Sequence, residues 1–172
     1  MGCDIHFFVE KYSDEDFDGP KDVSEERSIK LQSVLKGKKS KRWISADVWK
    51  LEEVGTEDEH WNVPYGQGFY HGRNYYLFSI LADVRNYGSD KVKPISAPKG
   101  IPKNASDGYK YTIGRWDGDG HSHSYFTLSQ LMRVNWSKYN KDWISGFLET
   151  IQKMKELDPD PKKVRVVFFF DN

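Results

Sequence analysis

Alternation of apolar and polar residues opens the chain. From Cys3 to Tyr12, Cys3, Ile5, Phe7 and Val9 fall on one side and Asp4, His6, Phe8 and Glu10 on the other, which is the period of a β-strand and sends Asp4 and His6 the same way. The pattern then fails. Residues 13–42 are charged, with Gly19-Pro20 and a basic run from Lys36 to Arg42, and read as an insertion loop. Trp43 to Glu52 can supply a second strand, and Gly55 to Gly68 has turn composition. From Asn74 the period becomes helical: Leu77, Ile80, Leu81 and Val84 lie at i, i+3, i+4 and i+7, with Asn74 as N-cap and Asn86 or Gly88 near the stop.

Residues 88–120 hold three prolines and six glycines and read as a long irregular connection. Thr127 with Gln130 forms a capping box that opens a short helix through Leu128 and Leu131, which leaves His121 and His123 in the loop before it. A longer helix is expected from about Asn140, carrying Trp143, Phe147, Ile151 and Met154 on one stripe and stopping at Asp158-Pro159-Asp160-Pro161. Val164 to Phe170 is apolar on both faces, as a strand in the middle of a sheet is, and is expected beside the first strand. With no repeat and no regular βα alternation, the order predicts a single α+β domain over 1–172. Its sheet should be mixed or mainly antiparallel, with the N- and C-terminal strands adjacent and about three helices flanking them.

Composition narrows the function classes. Lys plus Arg equals Asp plus Glu at 26 each, so no global field draws nucleic acid or an acidic membrane, and anion recognition must come from local clusters. The basic run from Lys36 to Arg42 reads as a solvated loop or as a nucleic-acid or nucleotide contact. Cys3 is the only cysteine, so an intramolecular disulfide is excluded and a cytoplasmic location is expected. No run of ~18 apolar residues could span a bilayer, and His6 stands where an N-myristoylation signal wants Ser or Thr. No P-loop, G-x-S-x-G elbow or paired C-x-x-C is present. Aromatic residues make up 15% of the chain, enough for some to serve as stacking surfaces and not only as core.

Two separated patches carry the candidate chemistry: Asp4-Ile5-His6, and Asp117-Gly118-Asp119-Gly120-His121-Ser122-His123-Ser124. Brought together, Asp4, His6, His121, His123 and Asp119 would make a ligand set for a divalent metal such as Zn or Mn, since imidazole and carboxylate suit such ions. A metal there would activate water for attack on phosphorus. Without metal, His121, His123 and His6 would act as general base and acid, with Arg73, Arg85 or Arg115 offsetting developing charge. Arg73, Asn74, Arg85, Arg115, Tyr75 and Trp116 are the candidate substrate-binding residues, the arginines for phosphate and the rings for stacking. The competing reading is structural: imidazoles satisfying a tight turn, and Arg85 or Arg165 paired with Asp83 or Asp171.

The blocks Met1-Gly2-Cys3-Asp4-Ile5-His6, Gly72-Arg73-Asn74-Tyr75-Tyr76-Leu77-Phe78 with Leu81-Ala82-Asp83-Val84-Arg85-Asn86, Asp119-Gly120-His121-Ser122-His123-Ser124 and Val164 to Asn172 together resemble a family of uncharacterised bacteriophage and prophage proteins. The resemblance spans nearly the whole chain and implies a phage accessory protein in host cytoplasm. A looser resemblance is to calcineurin-like metallophosphoesterases, in which Asp4, His6, His121 and His123 would match metal ligands. The chain departs from that pattern, having no G-D-x-x-D-R and no G-N-H-[DE] between them. The expected function is hydrolysis of a phosphodiester or phosphoanhydride in a small nucleotide, which in a phage could be a cyclic signal of host defence. The alternatives are a protein that sequesters a nucleotide or other anion, as monomer or homodimer, and an inhibitor of a host enzyme. Neither a membrane nor nucleic acid is an expected partner.

Overall fold

The computed structural model describes residues 2–13, 41–52, 60–89 and 91–172. Most of the expected insertion loop at 13–42, including Lys36 to Ser40, lies outside them. A four-stranded antiparallel sheet runs in the order β2 (Arg42–Ser45), β1 (Ile5–Ser13), β6 (Val164–Phe170), β5 (His121–Thr127), and a two-stranded ribbon is formed by β3 (Lys50–Glu52) and β4 (His60–Asn62). Among the described residues there are four α-helices: α1 (Tyr75–Ala82), α2 (Asp107–Trp116), α3 (Leu128–Met132) and α4 (Ser145–Met154). The N- and C-terminal strands are neighbours, as expected of this α+β chain, with Ile5 opposite Phe170 and Lys11 opposite Val164.

Strand β6 is buried along its whole length because both sheet faces are covered. On one face Cys3, Ile5, Phe7, Val9, Val166, Phe168 and Phe170 pack with Leu77, Phe78, Ile80 and Leu81 of α1, Leu128 and Leu131 of α3, and Phe147, Ile151 and Met154 of α4. On the other, Phe8, Val167 and Phe169 meet Trp49, Trp61 and Tyr109. Helix α1 ends where Asp83 adopts φ 60° and its N–H turns back to the carbonyls of Phe78 and Ser79, sooner than the Asn86 or Gly88 stop. Asn86 instead makes a strand-like pair of hydrogen bonds with Val92, giving its amide N–H to the carbonyl and accepting from the N–H.

Three expectations are corrected. The span 88–120 is not irregular throughout: it contains α2, capped by Ser106, whose hydroxyl accepts from Tyr109 N. Gly108 lies inside that helix, where a Cβ would be 2.7 Å from the Trp49 ring, so glycine permits the close approach of the helix to Trp49. His121 and His123 belong to strand β5 and not to a loop. Finally, α4 begins at Ser145; Asn140 caps the preceding turn by accepting from the N–H groups of Asp142 and Trp143. The capping box at Thr127 and Gln130 is present, each side chain accepting the other residue's backbone N–H.

A buried ion pair ties α2 to the sheet. Glu10 is fully buried and Arg165 is 4% exposed; Arg165 Nε donates to Glu10 Oε2, while Glu10 Oε1 accepts from Ser106 N at 2.7 Å. Arg165 Nη1 and Nη2 each donate to Asn104, at 2.9 and 3.0 Å, and the group lies over the Trp43 ring. The competing structural reading paired Arg85 or Arg165 with Asp83 or Asp171; the partner of Arg165 is instead the same-face, cross-strand residue Glu10. So complete a set of partners is what lets an ion pair sit in a core. No described helix is long and apolar enough to cross a membrane.

Candidate active site

A cleft of about 1200 Å³ opens on the α2 side of the sheet. Its walls come from the start of β1 (Asp4 to Phe8), from β4, from the connection Val63 to Arg73, and from the C-terminal half of α2 with Thr112, Arg115 and Trp116. Asp119 and Asp171 complete the lining. The ribbon is held against α2 by Trp61 N, which donates to the Tyr111 hydroxyl at 3.0 Å. The connection is anchored from below, where Thr150 Oγ1 donates to the Phe69 carbonyl at 2.8 Å and Tyr70 packs edge-on to Phe7 and Phe147. Its tip is open: Tyr65 is 87% exposed and rests against the His71 ring.

His6 sits in this lining with its side chain 21% exposed, between the rings of Phe169 (centroids 4.6 Å apart, nearly parallel) and Trp116 (4.2 Å). Its Nε2 lies 3.0 Å from Asp171 Oδ2. A carboxylate can only accept, so the proton of the neutral ring is on Nε2, and Nδ1 is the nitrogen able to take a proton. Nδ1 has no hydrogen-bond partner among the described residues. Asp171 is itself fixed, its Oδ1 accepting from Asp4 N at 2.7 Å and its own N–H donating to the Asp4 carbonyl at 3.2 Å. Asp4 in turn takes Arg73 in a two-point bond, Nε to Oδ1 at 2.8 Å and Nη2 to Oδ2 at 2.6 Å. That guanidinium holds the Asp4 carboxyl below its ordinary range.

The two histidines of the second patch are separated. Ser122 adopts φ 52°, and the register of β5 on β6 slips between His121 and Ser124. This bulge adds a residue and breaks the strand's alternation, so His121 falls opposite Phe170 on the face covered by α1 and α4, while His123 packs on Phe169 and Tyr109 on the α2 face. The expectation that both imidazoles converge on one point is corrected accordingly. His121 lies with Nδ1 2.9 Å from Ser122 Oγ and Nε2 3.3 Å from the Asp171 carbonyl. His123 Nδ1 is 3.2 Å from the Tyr109 hydroxyl, which donates to the Phe168 carbonyl at 3.0 Å; burial pulls the His123 imidazole below its usual pKa.

The proposed metal ligands are therefore not one group: Asp4 is engaged by Arg73, His6 by Asp171, and His121 and His123 face opposite ways. Among the described residues, no set of three or more His, Cys, Asp or Glu side chains is arranged to hold a metal ion. Of the candidate binding residues, Arg73, Arg115 and Trp116 line the cleft. Asn74 is spent on structure, capping α1 through Leu77 N at 3.0 Å and donating to the Trp143 carbonyl at 2.6 Å. Arg85 and Tyr75 stack on one another beside Cys3 and do not line the cleft.

Sequence reasoning missed Asp171 as a partner of His6, and passed over His60, His71, Trp61 and Tyr65 as cleft residues. A signal for the first existed: with Ile5 opposite Phe170, residue 171 is the diagonal same-face neighbour of His6. No protein-family model, curated protein or solved structure matches the chain, so the roles of Asp4, His6, His121 and His123 rest on where the fold puts them.

Proposed function

We propose that the protein hydrolyses a phosphodiester or phosphoanhydride bond of a small nucleotide in this cleft, with His6 moving the proton and Asp171 orienting it. The observation that carries the reading is the Asp171–His6 pair, a cleft-lining imidazole fixed in one tautomer by a carboxylate that is itself held by a backbone N–H. His6 Nδ1 takes a proton from water as its oxygen attacks phosphorus; the imidazolium, stabilised by Asp171, returns that proton to the leaving oxygen as the P–O bond breaks. Arg115 and Arg73 offset the charge that builds on the phosphoryl oxygens, and Trp116 and Tyr65 offer faces for a base. In a phage, as the sequence resemblance implies, the substrate would be a nucleotide signal of host defence.

The second reading is capture without turnover, favoured by the aromatic lining and by a volume above the ~300–1,000 Å³ usual for small-molecule pockets. One experiment separates the two: incubation of a panel of linear and cyclic nucleotides with the purified protein, followed by chromatography. Consumption that falls by about 10²–10⁴-fold in His6→Gln, and also falls in Asp171→Asn, supports the hydrolase. Nucleotides recovered intact but depleted from the free pool support capture, and neither turnover nor depletion overturns both.

A further inference from the structure

Asp4 uses only part of the Arg73 guanidinium. Nε and Nη2 each give one N–H to the carboxylate, which occupies one long side of the planar fork. That leaves the end of the fork, the second N–H of Nη2 and both of Nη1, and Nη1 has no hydrogen-bond partner among the described residues. The side chain is 52% exposed at the cleft lining. One flat face of the group is covered by the backbone: a Cβ on Gly2 would lie 2.6 Å from Nη1, 2.7 Å from Cζ and 2.8 Å from Nη2. Near-equal distances to three atoms of a plane mean that the guanidinium lies flat over Gly2. A side chain at position 2 would push it away.

We propose that Gly2, Asp4 and Arg73 form a preformed oxyanion receptor at the cleft, which takes a phosphate of the ligand end-on, two of its oxygens on the Nη1–Nη2 edge. Gly2 is the positioning residue of the receptor and Asp4 sets the rotation of the fork. A purely structural role does not account for this construction, because exposed ion pairs contribute little to stability, whereas fixing a guanidinium before the ligand arrives removes the entropy cost of ordering it during binding. Lysine cannot replace it, since an ammonium is a point charge without a fork. The identity of the ligand as a nucleotide rests on the reading above, but the receptor is defined for phosphate alone.

The test is titration of inorganic phosphate into the intact protein, following by NMR the backbone N–H resonances of Gly72 and Asn74, which flank Arg73 and are present in every variant. A saturable shift is expected in wild type and in His6→Gln. The apparent Kd should rise about tenfold in Arg73→Lys and several-fold in Gly2→Ala, and stay unchanged in Arg85→Lys, which lies outside the cleft. With a turned-over nucleotide, Gly2→Ala should raise KM and, because Arg73 also offsets transition-state charge, lower kcat, whereas loss of folded protein would lower the apparent kcat with KM unchanged. Absence of a saturable shift in wild type, or equal phosphate affinity in wild type, Gly2→Ala and Arg73→Lys, overturns the receptor. Phosphate binding at Arg73 without turnover of any nucleotide upholds the receptor and sinks the hydrolase; turnover with KM unchanged in Gly2→Ala does the reverse.

Discussion

The two faces of strands β1 and β6 are built from alternate residues of the same segments and do opposite work. On the helix-covered face, Cys3, Ile5, Phe7, Val9, Phe168 and Phe170 belong to one apolar cluster with the buried side chains of α1, α3 and α4. On the α2 face the same strands present His6, Phe8, Glu10, Arg165 and Phe169, and each polar group there has a specific partner. One face makes the fold stable through buried area, and the other spends some of that stability to hold charges and an imidazole in fixed positions. Phe169 belongs to both tasks, since it is fully buried and also forms the platform on which His6 lies.

The largest expected effect comes from breaking the ion pair. Glu10→Ala leaves Arg165 buried and unpaired and should cost about 3–5 kcal/mol in urea unfolding, while replacing both residues by methionine should recover most of it. Next comes a matched pair on adjacent residues. Phe168→Ala and Phe169→Ala should each cost about 3–5 kcal/mol, but only Phe169→Ala should displace His6 and weaken ligand binding beyond the fraction unfolded. Equal effects on binding would erase the distinction between the faces.

A pH experiment sharpens the comparison further. Asp47 is buried beside the cleft wall, bonded to Val9 N at 2.8 Å where β2 has left the edge of β1. Burial pushes its carboxyl up to about 7, the Glu10 charge adds to the rise, and the backbone N–H groups of Val9 and Phe69 draw it back. Its folded value is above the unfolded one near 3.8, so the folded state binds the proton more tightly. Stability from this group is therefore greatest below the unfolded value, declines as pH rises toward about 7, and stays lower beyond it. Asp47→Asn should flatten the profile, with a wild-type-minus-variant difference of about 2–4 kcal/mol between pH 4 and pH 8. A difference independent of pH would show that Asp47 is not titrating. The smallest effect is at the α3 cap: Thr127→Ala should cost about 1 kcal/mol and leave ligand binding untouched.

What could be read from the sequence follows from how local each signal is. The alternation of Cys3 to Tyr12, the all-apolar Val164 to Phe170, the Asn74 cap and the Thr127–Gln130 box are decided within a few residues, and each is found in place. Helix α2 was hidden because Gly108 answers to Trp49, more than fifty positions away. The separation of His121 from His123 was hidden because the positive φ at Ser122 and the register slip beside it break the strand's alternation between the two. The His6–Asp171 pair joins the two ends of the described chain and exists only through the β1–β6 register. Neither end announces it alone.

The central claim is that ligand binds on the α2 face and engages His6. The most direct measurement follows the ring resonances of His6, His121 and His123 by NMR while nucleotides are titrated into the protein. The account predicts a saturable shift of His6, a smaller one of His123 across Phe169, and none of His121. Saturable binding that moves His121 and leaves His6 in place would contradict it.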